Sequence, residues 1–197
     1  MKLETWPHSR APDLWLGECN DPVDLLLAEH HHHRTVFRRM VRIIERQQDA
    51  VTALRTILVP FANDAVLHRA DEEETLLPLL SQRTRREDGF GDLLKRLIED
   101  HVSIVDMAVS AAFSLKLIED SEAPLPERLK ADLLRYVFAA EGHLAFENGL
   151  LLPIAHQRLT LLDRRIIEQD FRLRRGMVIL PATGNGATSS TVSALTH

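Results

Sequence analysis

The sequence is poor in cysteine, the residue whose disulfides and metal bonds cross-link a fold. Cys19 is its only cysteine among 197 residues. One thiol excludes an intramolecular disulfide framework, a cysteine-based zinc finger and a cysteine-ligated iron–sulfur cluster. The chain does not need such links, because a single domain of this length buries roughly 70% of the surface that its unfolded form exposes. We therefore expect one domain with tails.

Other features are scarce as well. Glycine and proline number only 8 and 9, which favours helix. Neither an apolar run of 18 residues nor the apolar core of a secretory signal is present, so the sequence predicts no membrane span and a cytoplasmic location. The net charge of −5 argues against a nucleic-acid partner. Histidine, in contrast, is abundant, with 10 residues.

Apolar residues recur at a spacing of three to four along most of the chain, which indicates an all-α fold. Asp21 followed by Pro22 is typical of a helix start, and Pro60 is expected to kink or interrupt its helix. Since short polar turns separate the long helices, we predict an up-down-up-down antiparallel four-helix bundle with a short fifth C-terminal helix. The predicted helices cover about 21–45, 49–80, 90–120 and 127–159, followed by a short fifth helix that ends near Gly176.

The domain organisation follows from where this pattern starts and stops. Residues 1–20 are predicted to be an N-terminal extended segment and residues 21–176 the helical bundle. Residues 177–197 are predicted to be a disordered tail, because their small and polar side chains bury too little surface to become ordered. The arginines at 83–86 and 172–175 are interpreted as solvated surface and a helix end rather than a phosphate-binding patch.

Two segments of the sequence repeat each other. Glu72 follows His68 by four residues, and Glu147 follows His143 by four. In both segments leucines follow and a proline lies six residues after the glutamate. Side chains at i and i+4 share a helix face, roughly 5–6 Å apart, so the imidazole and the carboxylate can reach one metal ion. The carboxylate can also bridge to a second ion, and the repeat predicts two similar half-sites.

Four histidines are predicted to lie at one height, one on each long helix. In antiparallel neighbours, residues at one height lie symmetrically about the connecting turn, and the midpoints between successive histidines fall in the three predicted turns. A single buried histidine is usually a hydrogen-bonded core residue, but simple packing gives no reason to place four polar rings at one level. The predicted metal site therefore has six ligands: His30, His68, Glu72, His101, His143 and Glu147.

Mixed imidazole and carboxylate ligands fit iron, manganese or zinc, and bridging carboxylates hold two metals about 3.5–4 Å apart. We predict two iron ions with an oxo or hydroxo bridge, with manganese or zinc as alternatives. If each ion takes two histidines and shares both glutamates and the bridge, one position stays open for a small ligand such as dioxygen. The residues expected to keep this pocket apolar are Leu26, Leu97, Val105 and Leu144.

Other polar residues lie near the six predicted ligands in the sequence. His33 shares the inner face of His30 and is a candidate seventh ligand. His31 and His32 are expected to face outward or sideways. Glu73 and Glu74 are interpreted as solvated or as outer partners of the ligands.

These segments resemble the hemerythrin-like, or HHE cation-binding, family over about 21–176. The resemblance implies a four-helix bundle around a carboxylate-bridged di-iron centre that binds dioxygen reversibly or senses oxygen, iron or redox state. It also implies that the four histidines are terminal ligands and the two glutamates bridges. The matching segments are Asp21 to His30, His68-x3-Glu72 to Pro78, Glu99-Asp-His101, His143-x3-Glu147 to Pro153, and Arg174-Arg-Gly176.

The sequence departs from the oxygen-carrying members of that family at two places. Those proteins have two third-helix histidines four residues apart, and the candidate positions here hold Leu97 and Val105. They also have an aspartate five residues after the fourth-helix histidine, where this sequence has Asn148. Ferritin-like di-iron proteins use Glu-x-x-His on two helices. That spacing occurs here once, at Glu29 and His32, and does not favour that class.

Three functions are consistent with such a site. We favour a non-catalytic di-iron protein that binds dioxygen or a related small ligand, as sensor, scavenger or carrier. One alternative is a di-iron oxidase or an enzyme that handles peroxide or nitric oxide. The other is a metal-dependent regulatory module that is read by an unknown protein partner.

Overall fold

The computed structural model describes residues 21–46, 49–118 and 124–176, and these residues contain helices but no strand. This confirms the all-α prediction. The predicted N-terminal extended segment, 1–20, and the predicted tail, 177–197, lie outside the described residues. Helix α1 is Pro22–Arg46, α2 is Ala50–Arg83, α3 is Phe90–Leu117, α4 runs through Glu127–Phe146, Glu147–Leu151 and Leu152–Arg158, and α5 is Leu161–Arg174.

The helix starts have local causes in the sequence. The backbone N–H of Val23 donates to Oδ1 of Asp21 at 2.9 Å, which satisfies one free donor of the first turn of α1. At the start of α5, Thr160 and Asp163 form a reciprocal capping box. Helix α2 continues through Pro60, so that proline does not interrupt it.

Helices α2 and α4 each contain a π-helical turn that begins at or beside a glutamate of the repeated motif. The turns cover Asp71–Leu76 and Glu147–Leu151, and α-helix resumes with a proline at its first or second position. Proline has no N–H, and its ring crowds the carbonyl four residues earlier, so the regular α-helical hydrogen bond to that carbonyl is lost. The carbonyls of Glu72 and Glu147 instead accept from the N–H five residues later. The repeat in the sequence is therefore a repeat in structure.

The long helices pack side by side. Helix α1 contacts α2 and α4, α3 contacts α2 and α4, and the last turns of α2 and α4 contact each other, while α5 packs on α1 and on the π-helical turn of α2. Buried apolar residues form two separate clusters. One includes Phe37, Leu54, Phe61, Leu115 and Leu133, and the other includes Leu26, Leu76, Leu97, Leu151 and Phe171.

The expectation that Leu97 and Val105 both keep the pocket apolar is wrong for Val105. Leu97 and His101 are buried, but Val105 is 36% exposed. A step of four residues advances 400° around a helix with 3.6 residues per turn, so Val105, two such steps from Leu97, lies about 80° away from it.

Helix α2 is long and apolar enough to cross a membrane by length and composition alone. One such helix in the described part of the chain is weak evidence for a membrane span.

Candidate metal centre

The six predicted ligand residues come together in the interior of the protein. On each long helix the histidine lies between residues of the two apolar clusters, so the polar centre separates them. The side chains of the two glutamates are fully buried, and the histidines are nearly so. Such a level of buried polar groups costs free energy unless each group is partnered. These residues form two overlapping groups of four: His30, His68, Glu72 and Glu147, and Glu72, His101, His143 and Glu147.

The first group contains the histidines of α1 and α2 and one oxygen from each glutamate. The Nε2 atoms of His30 and His68 lie 3.1 Å apart. Oε1 of Glu72 lies 3.6 Å from Nε2 of His68 and 3.9 Å from Nε2 of His30. Oε2 of Glu147 lies 3.5 Å from Nε2 of His30. Two imidazole nitrogens and two carboxylate oxygens thus face one point.

The second group joins α3 and α4 around the other oxygens of the same carboxylates. Nε2 of His101 lies 3.3 Å from Oε2 of Glu72 and 3.6 Å from Oε1 of Glu147. Nε2 of His143 lies 2.8 Å from Oε1 of Glu147. Each glutamate therefore presents one oxygen to each pair of histidines, which is the arrangement that a carboxylate bridge between two cations requires.

The four oxygens of these glutamates provide the test of whether a metal fits. All four are buried, and none receives a hydrogen bond of acceptable geometry. A buried carboxylate without donors is costly, and one cation at each histidine pair would take one oxygen of each glutamate, so that two cations would satisfy all four oxygens. The donor set of imidazole and carboxylate suits iron, manganese or zinc.

Nδ1 of each imidazole faces a polar residue on a neighbouring helix, and a hydrogen bond forms at His30, His68 and His101 but not at His143. Nδ1 of His68 lies 2.9 Å from Oε2 of Glu29, and Nδ1 of His101 lies 2.6 Å from Oε1 of Glu73. The other two contacts join Nδ1 of His30 to the side-chain amide of Asn148 at 2.6 Å, and Nδ1 of His143 to Oδ2 of Asp100 at 3.7 Å.

These facing pairs form a ring around the bundle, with hydrogen bonds at His30, His68 and His101 and a longer separation at His143. Each partner lies on a different helix from the histidine that it faces. A carboxylate partner, as at His68 and His101, accepts the proton on Nδ1 and leaves Nε2 free to ligate. We expected only Glu73 among these partners. The signal that could have found all four is that each stands next to a ligand in the sequence.

The charges of the centre shift the pKa values of its members. Burial lowers the pKa of His68, but Glu72 and Glu29 outweigh it and raise that pKa to about 9. Burial likewise lowers the pKa of His101, but Glu147 and Glu72 raise it to about 10. Imidazolium charge is thus one way to balance the carboxylates, and metal cations are another.

The two glutamates themselves shift in opposite directions. Burial and the neighbouring carboxylate of Glu147 raise the pKa of Glu72. Burial opposes ionisation of Glu147 as well, but the close imidazoles of His101 and His143 hold its pKa well below the usual value. At least one carboxylate of the pair is therefore ionised and ready to ligate.

The other histidines of the His30–His33 run lie outside both groups. His33 is buried and packs edge-on against His68 and Phe61, with ring centroids 4.9 Å apart in each case. His31 is exposed, as expected, and His32 is half-buried, with Nε2 4.0 Å from Oδ2 of Asp64.

The interpretation of the arginines near residue 175 as solvated surface is wrong for Arg175. Its side chain is only 4% exposed, and its guanidinium lies 2.6 Å from Glu29 and 2.6 Å from Asp71. The sequence shows a basic helix end, but two carboxylates buried on α1 and α2 draw this guanidinium inward. Burial of a charge is tolerated where it is paired in this way.

Comparison with known proteins agrees with this centre. The model of the hemerythrin HHE cation-binding domain matches residues 21–155. The chain belongs to this family, and its buried clusters of histidine and glutamate are compatible with metal binding. No curated protein matches the sequence significantly.

Proposed function

We propose that this chain is a di-iron protein that binds dioxygen or a related small ligand, as a sensor, scavenger or carrier. The observation that carries the proposal is the pair of buried glutamates, Glu72 and Glu147, each facing both pairs of histidines. In this proposal the four long helices alternate in direction, the histidines are terminal ligands and the glutamates are bridges.

Iron in these positions would supply redox chemistry and an open coordination position for a small ligand. The protein supplies the environment. The ring of Nδ1 partners holds the histidines in place, and the apolar clusters on either side keep water away from the centre. An apolar enclosure suits a small uncharged ligand better than a charged substrate. We expect the protein to work in the cytoplasm without a nucleic-acid or membrane partner.

Optical spectroscopy tests the proposed function. The chain is loaded with ferrous iron under anaerobic conditions, and spectra are recorded before air, after air and after removal of oxygen. We expect a new absorption band in air that is lost again when oxygen is removed. The variant Glu147→Gln should lose this band, and the control Glu45→Gln, at an exposed position of α1, should keep it.

The other outcomes separate the alternatives. A band that forms irreversibly, together with turnover of peroxide or nitric oxide, would replace the proposed function by the enzymatic alternative. An iron-loaded chain whose spectrum does not respond to air or nitric oxide would contradict binding of a small ligand.

A further inference from the structure

The end of α5 is joined to the metal centre by buried ion pairs. Nη2 of Arg175 lies 2.6 Å from Oε1 of Glu29, and its Nη1 lies 2.6 Å from Oδ2 of Asp71. Asp71 is fully buried beside the proposed ligand Glu72, and its Oδ1 accepts a hydrogen bond from Nη1 of Arg174 at 2.8 Å. The family match ends at residue 155, so it assigns no role to this anchor.

A single carboxylate links this anchor to a ligand. Oε1 of Glu29 faces Arg175, and Oε2 faces Nδ1 of His68, whose Nε2 points into the centre. Without the guanidinium, Glu29 would be a buried carboxylate with much less to stabilise its charge, because its side chain is only 7% exposed. It would then be a weaker acceptor for the proton on Nδ1 of His68.

We propose that Arg175 is a positioning residue for His68, and that metal binding and the docking of α5 are thermodynamically coupled. The inference rests on the proposed metal site. Loss of an outer partner of a metal-binding histidine typically weakens metal affinity by about 10–100-fold. Linkage is reciprocal, so metal binding tightens the docking of α5 by the same factor. A protein partner that binds α5 or the chain beyond it would thereby sense the metal.

The structure provides a matched control at the other end of α5. The guanidinium of Arg83 donates to both carboxylate oxygens of Asp163, at 2.9 Å each. This pair also anchors α5 to α2. Among the contacts of the described residues, Asp163 pairs with Arg83 and Thr160, and neither of them is a proposed ligand or holds one. Loss of either anchor should loosen the docking of α5. While α5 stays mainly docked, only loss of Arg175 should change the metal affinity, because only Arg175 contacts a residue that holds a proposed ligand.

The experiment uses the full chain, ferrous iron under anaerobic conditions and a competing chelator. We expect Arg175→Gln to weaken iron affinity by about 10–100-fold and Arg83→Gln to leave it unchanged. Arg175→Lys keeps the charge but cannot bind two carboxylates with one planar fork. It should give an intermediate affinity, and it keeps the test informative if Arg175→Gln does not fold.

Amide hydrogen exchange supplies a readout independent of any activity. Iron should slow exchange in Leu161–Arg174 by about 10–100-fold in the wild-type and Arg83→Gln chains, and this effect should be largely lost in Arg175→Gln. If iron binds but exchange in α5 does not slow, the coupling is overturned. Equal iron affinity in the two arginine variants would also overturn it. In both cases the proposed function would stand. A wild-type chain that binds no iron would overturn the proposed function, and the coupling with it.

Discussion

Glu29 on α1 accepts from Nδ1 of His68 on α2 at 2.9 Å. This contact shows how the candidate centre is built, because the residue that orients a proposed ligand lies on a different helix from that ligand. The residues that face Nδ1 of the other three histidines also lie on neighbouring helices, with a hydrogen bond at His30 and at His101. The ring of contacts therefore depends on all four long helices being packed together, and we expect metal binding and bundle packing to support each other.

The role of this ring can be tested at His101. Glu73 holds Nδ1 of His101, and its sequence neighbour Glu74 is exposed and pairs only with Arg174 among the contacts described. We expect Glu73→Gln to weaken metal affinity by about 10–100-fold, because the neutral amide stabilises the ligating tautomer less well. Chelator competition measures the change.

Glu74→Gln is the matched control for that measurement, since it removes one carboxylate from the same turn. It should leave the affinity within about twofold of wild type, as is usual for exposed charges. Equal losses in both variants would indicate a general effect of charge in place of the orienting contact.

Much of the fold and the centre could be predicted from the sequence because both depend on spacing. The helices begin and end within three residues of the expected positions where the structure describes them. The i+4 motifs and the symmetry about the turns selected His30, His68, His101 and His143, which the structure brings together. Regular helix geometry fixes such relations before any side-chain contact is known.

The remaining features depend on tertiary packing, which spacing does not encode. The buried position of Arg175 follows from carboxylates on two other helices, and from its own segment it looks like an ordinary basic helix end. The exposure of Val105 is an exception, because regular helix geometry alone turns it about 80° away from Leu97. The π-helical turns had a signal in the sequence, the proline six residues after each glutamate, but we took it only as part of the repeat.

His33 allows a direct test of whether the centre has a seventh ligand. It is buried against His68 and Phe61 and belongs to neither group of four. We expect His33→Leu, which places an apolar side chain at this buried site, to leave the number of bound metals per chain and the optical spectrum unchanged. Loss of one metal ion, measured by elemental analysis, would show that His33 ligates.

The capping box of α5 allows a test of stability apart from metal. The hydroxyl of Thr160 accepts from the backbone N–H of Asp163 at 3.2 Å. We expect Thr160→Ala to lower the free energy of unfolding by about 1 kcal/mol, the usual contribution of an N-cap, with metal content unchanged. Thr160→Ser keeps the hydroxyl and should restore most of the loss in chemical denaturation.

The most direct test of the account is the number of metal ions per chain in the wild type and in the two bridge variants. Anaerobic loading with ferrous iron, followed by elemental analysis, should give two ions per wild-type chain and one or fewer in Glu72→Gln and Glu147→Gln. A wild-type chain that binds only one ion, or bridge variants that still bind two, would contradict a centre in which both glutamates join two metals.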